Sequence, residues 1–139
     1  MAGTCLSTPA IALRAAAKYD PLFVWGTGEQ CRDFVHIDDC IDCIELAIEQ
    51  IEDGTAVNIG SGVPTSFLDL AALMADIVGY KPRIEGRSGK PTGVANRYCN
   101  PDFAKDLLGF YPSVSLRDGM ERVIEVAKLR IYNGIEIPD

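Results

Sequence analysis

Apolar positions recur along the chain at two spacings, and together they predict a mixture of helices and short strands. Isoleucines return every three or four residues over 41–51, which is typical of one face of a helix. Short apolar runs at 22–25 and 32–37 are bounded by turn-forming residues and indicate strands. The full pattern corresponds to about five helices and four short strands, which predicts an α/β fold.

Capping and turn-forming residues set the bounds of these elements. The predicted helices are 9–18, 39–51, 67–78, a short helix from Asn100 to Gly109, and a last helix after Ser115. The predicted strands are 22–25, 32–37, 56–59 and 82–85, with a turn over 26–31, a loop over 86–99 and a loose tail over 134–139. Ser66 and Ser115 each precede an aspartate by three residues, as in a capping box. Asp38-Asp39 are interpreted as helix-start residues, whose charge suits the helix dipole.

Length and charge limit the class of protein. The 139 residues suit one domain over 1–139, and no apolar run approaches the ~20 residues of a membrane span. The N-terminus shows no charged-then-apolar segment, and we expect a cytoplasmic protein. The net charge of −7 is unfavourable for contact with nucleic acid or an anionic membrane. Basic residues nevertheless concentrate between Lys81 and Arg97, where a local anion site can form.

The most informative segment joins a glycine turn to an arginine. Val24-Trp25 ends an apolar run, Gly26-Thr27-Gly28 turns the chain, and Arg32 follows at the start of the next predicted strand. Glycines let a ligand approach the backbone closely, and a guanidinium is a planar donor that binds phosphate oxygens in pairs. This combination predicts a site for a diphosphate.

An ordered series of short motifs resembles one enzyme family. The motifs are Val24-Trp25-Gly26-Thr27-Gly28, Arg32-Asp33-Phe34-Val35-His36-Ile37-Asp38-Asp39, Val57-Asn58-Ile59-Gly60-Ser61-Gly62, Leu107-Leu108-Gly109-Phe110 and Ser115-Leu116-Arg117-Asp118-Gly119. Over ~20–130 they are similar to the extended short-chain dehydrogenase/reductases, the NAD-dependent epimerases and dehydratases that act on nucleotide sugars. Trp25, and Lys90-Pro91-Thr92-Gly93 ahead of Arg97, resemble the GDP-L-fucose synthase branch of that family.

The resemblance implies the C-terminal, substrate-binding part of such an enzyme, a small mixed α/β domain that lacks the N-terminal Rossmann domain. Full-length members use a Gly-x-x-Gly-x-x-Gly loop for NAD or NADP and a Tyr-x-x-x-Lys pair for hydride and proton transfer. No tyrosine here has a lysine four positions later, and Cys31 stands where a Rossmann turn needs its third glycine. We therefore expect that this chain alone binds no cofactor and is not catalytic.

The family's substrate-binding residues carry over to four positions of this sequence. Arg32 corresponds to the residue that binds the diphosphate, and Trp25 to one that lies against the substrate. Arg97 falls where the family places a basic residue near the nucleotide phosphates. Thr92 stands where the fucose-synthase pattern has an aspartate that touches the substrate. The implied partner is a nucleotide-diphosphate sugar, with a GDP-sugar favoured.

Three of the residues singled out also have a purely structural interpretation. In the structural interpretation, Arg32 is a surface arginine paired with Asp33 or Asp38, and Trp25 is a core residue on its strand. His36 lies within an apolar run, which is typical of a packed or hydrogen-bonded histidine and not of a catalytic one.

The five cysteines leave two further interpretations open. Cys40 and Cys43 form a Cys-x-x-Cys pair at a predicted helix start, as in redox-active dithiols, and Cys31 with His36 would complete a zinc set. The spacing matches no standard zinc pattern, and an odd count without a secretion signal is typical of reduced thiols. Buried structural thiols, with no metal, are the favoured interpretation.

The predicted helix over 39–51 bears on assembly. In relatives it packs on the Rossmann domain, so in this chain alone it leaves an isoleucine stripe exposed to water. We therefore expect self-association, or a separate chain that supplies the Rossmann half. A second functional class stays open, which is a stand-alone nucleotide- or protein-binding module that has lost enzyme activity.

Overall fold

The structure, a computed structural model, describes residues 7–89 and 93–138, which form five helices and five short strands. The helices are α1 (Ser7–Ala16), α2 (Ile37–Gln50), α3 (Phe67–Val78), α4 (Asp102–Leu108) and α5 (Leu116–Tyr132). The strands are β1 (Leu22–Trp25), β2 (Cys31–Arg32), β3 (Thr65–Ser66), β4 (Ile84–Arg87) and β5 (Asn96–Arg97). The α/β fold predicted from the sequence is confirmed.

The strands form two small sheets. β1 and β4 pair in parallel, which places Trp25 opposite Arg87. β2 lies at the centre of the second sheet, antiparallel to β3 and parallel to β5. Cys31-Arg32 therefore aligns with Ser66 and Thr65 on one side and with Asn96-Arg97 on the other. This second sheet positions the arginines of the candidate site.

Three helices and the first sheet enclose the larger core. α1, α3 and α5 pack against one another, and α1 and α3 also pack against β1. Its most deeply buried large side chains, each no more than 2% exposed, include Ile11, Leu22, Leu70, Met74 and Ile124. Burial of one such side chain contributes about 1.5–3 kcal/mol, so this core is the main source of stability.

A smaller core joins α2 to α4. Its buried residues are Cys43, Ala104, Leu108 and Phe110. Val57 and Ile59 pack against it from irregular chain, so the predicted strand over 56–59 is wrong. The apolar alternation there reflects packing on the two helices, because no strand of the described residues pairs with this segment.

The predicted helices are confirmed, and every end that the sequence predicts lies within two residues of the end in the structure. Ser66 accepts a hydrogen bond from the backbone amide of Asp69 at 3.0 Å, and Ser115 caps α5 in the same way. Gly79 ends α3 at a φ of 78°, a left-handed conformation that favours glycine. Among the described residues, no helix combines the length and the apolar character needed to cross a bilayer.

β1 has the bounds that the sequence predicts, whereas the other predicted strands are shorter, displaced or absent. β2 covers Cys31–Arg32 and not the predicted 32–37, because the Asp33 carboxylate binds the loop at 61–62 and His36 already caps α2. β4 spans Ile84–Arg87, two residues beyond the predicted 82–85. β3 and β5 are not predicted, since two-residue strands give no periodic signal.

Residues 135–138, predicted to belong to a loose tail, contact the rest of the chain. Ile137 packs against the larger core. The carbonyl oxygen of Pro138 accepts a hydrogen bond from Nη1 of Arg14 at 3.0 Å. This end of the chain is therefore tied to α1.

Candidate functional site

Arg32 ends β2 with its side chain held against the protein. The residue is half-buried, and its Nη1 donates to the carbonyl oxygen of Cys31 at 2.6 Å. The guanidinium carbon lies 5.7 Å from the centre of the Phe67 ring. A cation over an aromatic face is attracted by the negative charge density of the ring. These contacts fix the guanidinium at the surface of the second sheet.

The two carboxylates considered as ion-pair partners for Arg32 are engaged with other groups. Asp33 accepts hydrogen bonds from the loop at 61–62, and Asp38 lies 3.3 Å from Nη1 of Arg122.

Arg97 lies beside Arg32 on the neighbouring parallel strand. The two residues are directly aligned in the ladder between β2 and β5, and the amide of Asp33 donates to the Arg97 carbonyl at 3.1 Å. Aligned residues of adjacent strands project their side chains from the same face of a sheet. Arg97 is exposed, and within 7–89 and 93–138 its side chain forms no ion pair. From this register we expect the two arginine side chains to leave the sheet on the same face.

The loop before β5 approaches Arg32 through a glycine. A Cβ atom built on Gly93 would lie 3.5 Å from Nη2 of Arg32, and Gly93 has a φ of 67°. Thr92, which the resemblance assigns to the substrate, lies outside the described residues.

Trp25 lies at the end of the other sheet, one turn before Arg32. It is half-buried, and its carbonyl oxygen accepts a hydrogen bond from Nε2 of Gln30 at 2.7 Å. This bond braces the turn at 26–30 that leads from β1 to β2. Trp25 is therefore neither a fully buried core residue nor part of the sheet that holds the two arginines.

Asp33 organises the loops around the arginines, a role that the sequence interpretation missed. Its carboxylate accepts hydrogen bonds from the amide and hydroxyl of Ser61 at 2.9 and 2.5 Å, the amide of Gly62 at 3.0 Å, and the amide and thiol of Cys99 at 3.4 Å. Burial raises the pKa of Asp33, but the hydrogen bonds outweigh it and hold the pKa below its ordinary value. The available signal was the Gly60-Ser61-Gly62 run, whose exposed amides need an acceptor.

A second carboxylate, Asp39, fixes the start of α2. Asp38 and Asp39 lie in the first turn, as predicted, but Asp39 is only 1% exposed. It accepts hydrogen bonds from the amide and hydroxyl of Ser113, and these lower its pKa although burial raises it. Nδ1 of His36 accepts a hydrogen bond from the amide of Asp38 at 3.2 Å, so this histidine is a helix cap.

The turn at Gly26–Gly28 does not fit a dinucleotide. It leads into β2 and not into a helix. The amide of Leu68, at the start of α3, donates to the Gly28 carbonyl at 3.0 Å, and a Cβ on Gly28 would lie 2.6 Å from Val24. A phosphate loop presents a set of amides to its ligand, whereas this turn presents a carbonyl to a helix start.

The described cysteines are free thiols, namely Cys31, Cys40, Cys43 and Cys99. Burial raises the pKa of Cys40 and of Cys43, which is the opposite of what a reactive dithiol needs. Cys5 lies outside the described residues. No group of three or more metal-ligating side chains occurs in 7–89 and 93–138.

Comparison with known sequences extends the motif resemblance. Residues 7–60 match the model of the NAD dependent epimerase/dehydratase family. GDP-L-fucose synthase of Escherichia coli (strain K12) is 34% identical over 116 residues, which cover 76% of this chain and 36% of that protein. GDP-L-fucose synthase 1 of Arabidopsis thaliana is 32% identical over 106 residues, which cover 76% and 32%. The chain spans about a third of the length of these curated relatives.

Solved structures share the fold over most of the chain. UDP-glucose 4-epimerase of Thermotoga maritima, solved with UDP-glucose, has a TM-score of 0.79 and 27% identity, covering 95% of this chain and 41% of that one. UDP-glucuronic acid 4-epimerase of Bacillus cereus, solved with UDP-glucuronic acid and NAD, has a TM-score of 0.77 and 28% identity, covering 90% and 40%. By motif, sequence and fold, the chain is similar to members of the NAD-dependent epimerase/dehydratase family.

Proposed function

We propose that the chain binds the diphosphate of a nucleotide sugar, as the substrate-binding part of an NAD(P)-dependent epimerase, dehydratase or reductase. The register of two arginines carries this proposal, since Arg32 and Arg97 are aligned on adjacent strands. A diphosphate presents negative oxygens on two neighbouring phosphorus atoms, and planar guanidinium groups bind such oxygens in pairs. The chain has a net charge of −7, so two neighbouring arginines form a locally basic site on an acidic protein.

The surroundings of the pair suit a bound nucleotide. Phe67 lies under the Arg32 guanidinium and limits its motion, which lowers the entropy lost on binding. Gly93 lies beside Nη2 of Arg32 and brings no side chain of its own to that place. Trp25 and Thr92 are proposed as further substrate contacts on the strength of the family motif alone.

The names of relatives favour a GDP-sugar. Several relatives are named GDP-L-fucose synthase, whereas two of the solved structures hold UDP-glucose and UDP-glucuronic acid. GDP-sugars and UDP-sugars share the diphosphate linkage that the two arginines would bind. The proposed binding of the diphosphate therefore does not depend on the base.

The chain by itself is proposed to bind and orient the substrate without turning it over. In the family, NAD(P) supplies hydride transfer, and the turn at Gly26–Gly28 does not fit that cofactor. No Tyr-x-x-x-Lys pair is present in the sequence to move a proton. The expected contribution of Arg32 is charge-assisted hydrogen bonding worth ~1.5–3 kcal/mol.

Isothermal titration of the full chain with GDP, UDP and dTDP tests the binding proposal. We expect binding that weakens ~10–100-fold in Arg32→Ala and also weakens in Arg97→Ala. Arg117→Ala is the matched control, because this exposed arginine pairs with Asp76 on another part of the surface. Equal affinities in all three variants, or no binding of any nucleotide by the native chain, would refute the proposal.

A separate assay tests catalytic incompetence. The purified chain is incubated with NADPH and GDP-4-keto-6-deoxymannose, and absorbance at the nicotinamide band is followed. We expect no oxidation of NADPH. Turnover by the chain alone would overturn this part of the proposal while leaving nucleotide binding intact.

A stand-alone protein-binding module is the second candidate function, favoured by one observation. α2 exposes isoleucines to water, as the sequence predicts, with Ile48 76% exposed. Self-association through this helix, or a separate chain that supplies a Rossmann domain, would cover them. Absence of nucleotide binding together with a stable complex would favour this module.

A further inference from the structure

Arg87 is an exposed arginine that the proposed diphosphate site does not use. It ends β4 and is aligned with Trp25 in the parallel ladder of the first sheet. Its guanidinium carbon lies 4.2 Å from the centre of the Phe23 ring. In the described part of the chain, its side chain forms no ion pair and no hydrogen bond. Glu85, two residues earlier on β4, instead lies 3.5 Å from Nη1 of Arg83.

The contact with Phe23 places Arg87 on the outer face of the first sheet. On β1, Leu22 and Val24 are fully buried in the larger core. Phe23 and Trp25 alternate with them and are half-buried. Successive side chains of a strand point to opposite faces, so these two aromatic residues belong to the face away from that core. We therefore expect a guanidinium and two aromatic rings to share one face of the sheet.

A second arginine holds the Phe23 ring in place. The guanidinium carbon of Arg14, a residue that is only 1% exposed, lies 4.4 Å from the centre of the ring. Nη1 of Arg14 in turn donates to the carbonyl oxygen of Pro138 at 3.0 Å. Because a buried cation from α1 fixes the ring, the ring is a firm support for the exposed cation from β4. A guanidinium restrained in this way loses less entropy when it binds a ligand.

The two small sheets are built from the same two segments of the chain. β1 leads through the turn at 26–30 into β2, and β4 is followed along the chain by β5. β1 pairs with β4 and β2 pairs with β5, in parallel in both cases. Trp25 and Arg87 are thus aligned at the end of the first ladder, as Arg32 and Arg97 are at the end of the second. We therefore expect a nucleotide whose diphosphate binds the second pair to carry its base towards the first pair.

We propose that Arg87 binds the base of the nucleotide and selects guanine. This inference rests on the proposed function, in which the diphosphate binds Arg32 and Arg97. With a base lying against Trp25, the guanidinium of Arg87 would meet the edge of that base. Guanine has two adjacent acceptors, O6 and N7, that match two N–H donors of an arginine, whereas adenine has a donor beside N7. Uracil and thymine have only O4 as an acceptor on the corresponding edge.

Calorimetric titration of the full native chain with different nucleotides tests this selection. The nucleotides are GDP, UDP, ADP and 7-deaza-GDP, in which a C–H group replaces N7. We expect GDP to bind ~10-fold or more tightly than UDP and ADP, since a paired arginine–guanine contact gives discrimination of that order. 7-Deaza-GDP should bind roughly 5-fold more weakly than GDP, because it keeps only one of the two acceptors. This comparison of two ligands needs no variant of the protein.

Variants of the full chain assign the selection to Arg87. Arg87→Ala should reduce the preference for GDP over UDP to within about threefold, and should leave the affinity for UDP within about twofold at about 150 mM salt. Arg87→Gln should raise the affinity for ADP relative to GDP, since glutamine pairs with adenine. Arg32→Ala should weaken all the nucleotides alike and leave the preference unchanged. Arg117→Ala, at the exposed arginine that pairs with Asp76, is the matched control and should change neither affinity nor preference.

Three results would overturn the role of Arg87. If Arg87→Ala weakens GDP and UDP by the same factor, or changes neither, Arg87 does not select the base and the diphosphate site stands. If the native chain binds GDP and 7-deaza-GDP equally, the paired contact with O6 and N7 is not made, and the diphosphate site again stands. If the native chain binds no nucleotide, the proposed function fails together with this inference. Circular dichroism of each variant checks that a change of affinity is not a loss of fold.

Discussion

The carboxylate of Asp39, in the first turn of α2, accepts two hydrogen bonds from Ser113, from the amide at 2.7 Å and from the hydroxyl at 2.9 Å. A third bond comes from the amide of Val114 at 3.3 Å. These bonds connect the start of α2 to the segment that leads into α5, far away in the sequence. The buried negative charge of Asp39 is tolerated because its carboxylate oxygens accept these three hydrogen bonds.

Removing the charge of Asp39 should destabilise the fold. We expect Asp39→Asn to lower the free energy of unfolding by about 2–3 kcal/mol, because its amide nitrogen cannot accept from Ser113 or Val114. Asp42→Asn, at an exposed position of the same helix, should change it by less than about 0.5 kcal/mol. Urea denaturation followed by circular dichroism measures both. Similar losses in the two variants would mean that the buried bonds contribute nothing specific.

Stability should fall in acid because of two carboxylates. Hydrogen bonds lower the pKa of Asp33 and of Asp39 in the folded protein despite the opposing effect of burial. Such groups contribute stability that is complete above their ordinary value of about 3.9 and is lost as the pH falls through the folded value. Unfolding free energy should therefore decrease below about pH 4, and the decrease should be shallower in Asp33→Asn or Asp39→Asn. If the unfolding free energy fell with pH as steeply in both variants as in the native chain, Asp33 and Asp39 would not be the cause of the loss in acid.

Gly60 should not tolerate a methyl group. A Cβ atom there would lie 2.5 Å from both Oδ2 of Asp33 and Sγ of Cys99, which the hydrogen bonds to Asp33 hold in place. We expect Gly60→Ala to cost about 1–3 kcal/mol in thermal or urea unfolding. At Gly54, where φ is +79° and no atom lies within 4 Å, alanine should cost about 1 kcal/mol from the backbone conformation alone. A smaller loss at Gly60 than at Gly54 would show that the Asp33 network is loose.

Arg32→Lys separates geometry from charge in the proposed nucleotide site. Lysine keeps the charge but loses the paired donors and the planar group over Phe67. We expect nucleotide affinity to fall about 10-fold in titration calorimetry. Arg83→Lys, at an exposed arginine paired with Asp20 and Glu85, should have no effect. Full affinity in Arg32→Lys would reduce the role of Arg32 to general attraction.

The helices could be predicted because their signals are local. Ser66 and Ser115 cap where the sequence predicts, and periodic isoleucines mark both the presence of α2 and its exposed face. The strands could not be predicted equally well. Pairing of Arg32 with Arg97 joins positions far apart in the sequence, and two-residue strands leave no periodic trace.

The sequence motif predicts the arginines of the proposed site. It does not predict the carboxylate that binds the loops around them. In the sequence, nothing distinguishes Asp33 from the other charged residues. In the fold, Ser61 and Cys99 lie beside it and donate hydrogen bonds to its carboxylate. Its role depends on which loop is nearby, which no local pattern contains. The same holds for Asp39, whose donors lie at 113–114.

The division of the apolar interior into a larger and a smaller core has a consequence for motion. The few buried side chains around Cys43 and Phe110 are separate from those around Met74. Segments with little buried area of their own open at lower free energy than the whole molecule unfolds. We therefore expect α2 and α4 to open at lower free energy than α1, α3 and α5, and a partner bound to α2 to suppress that sub-global opening.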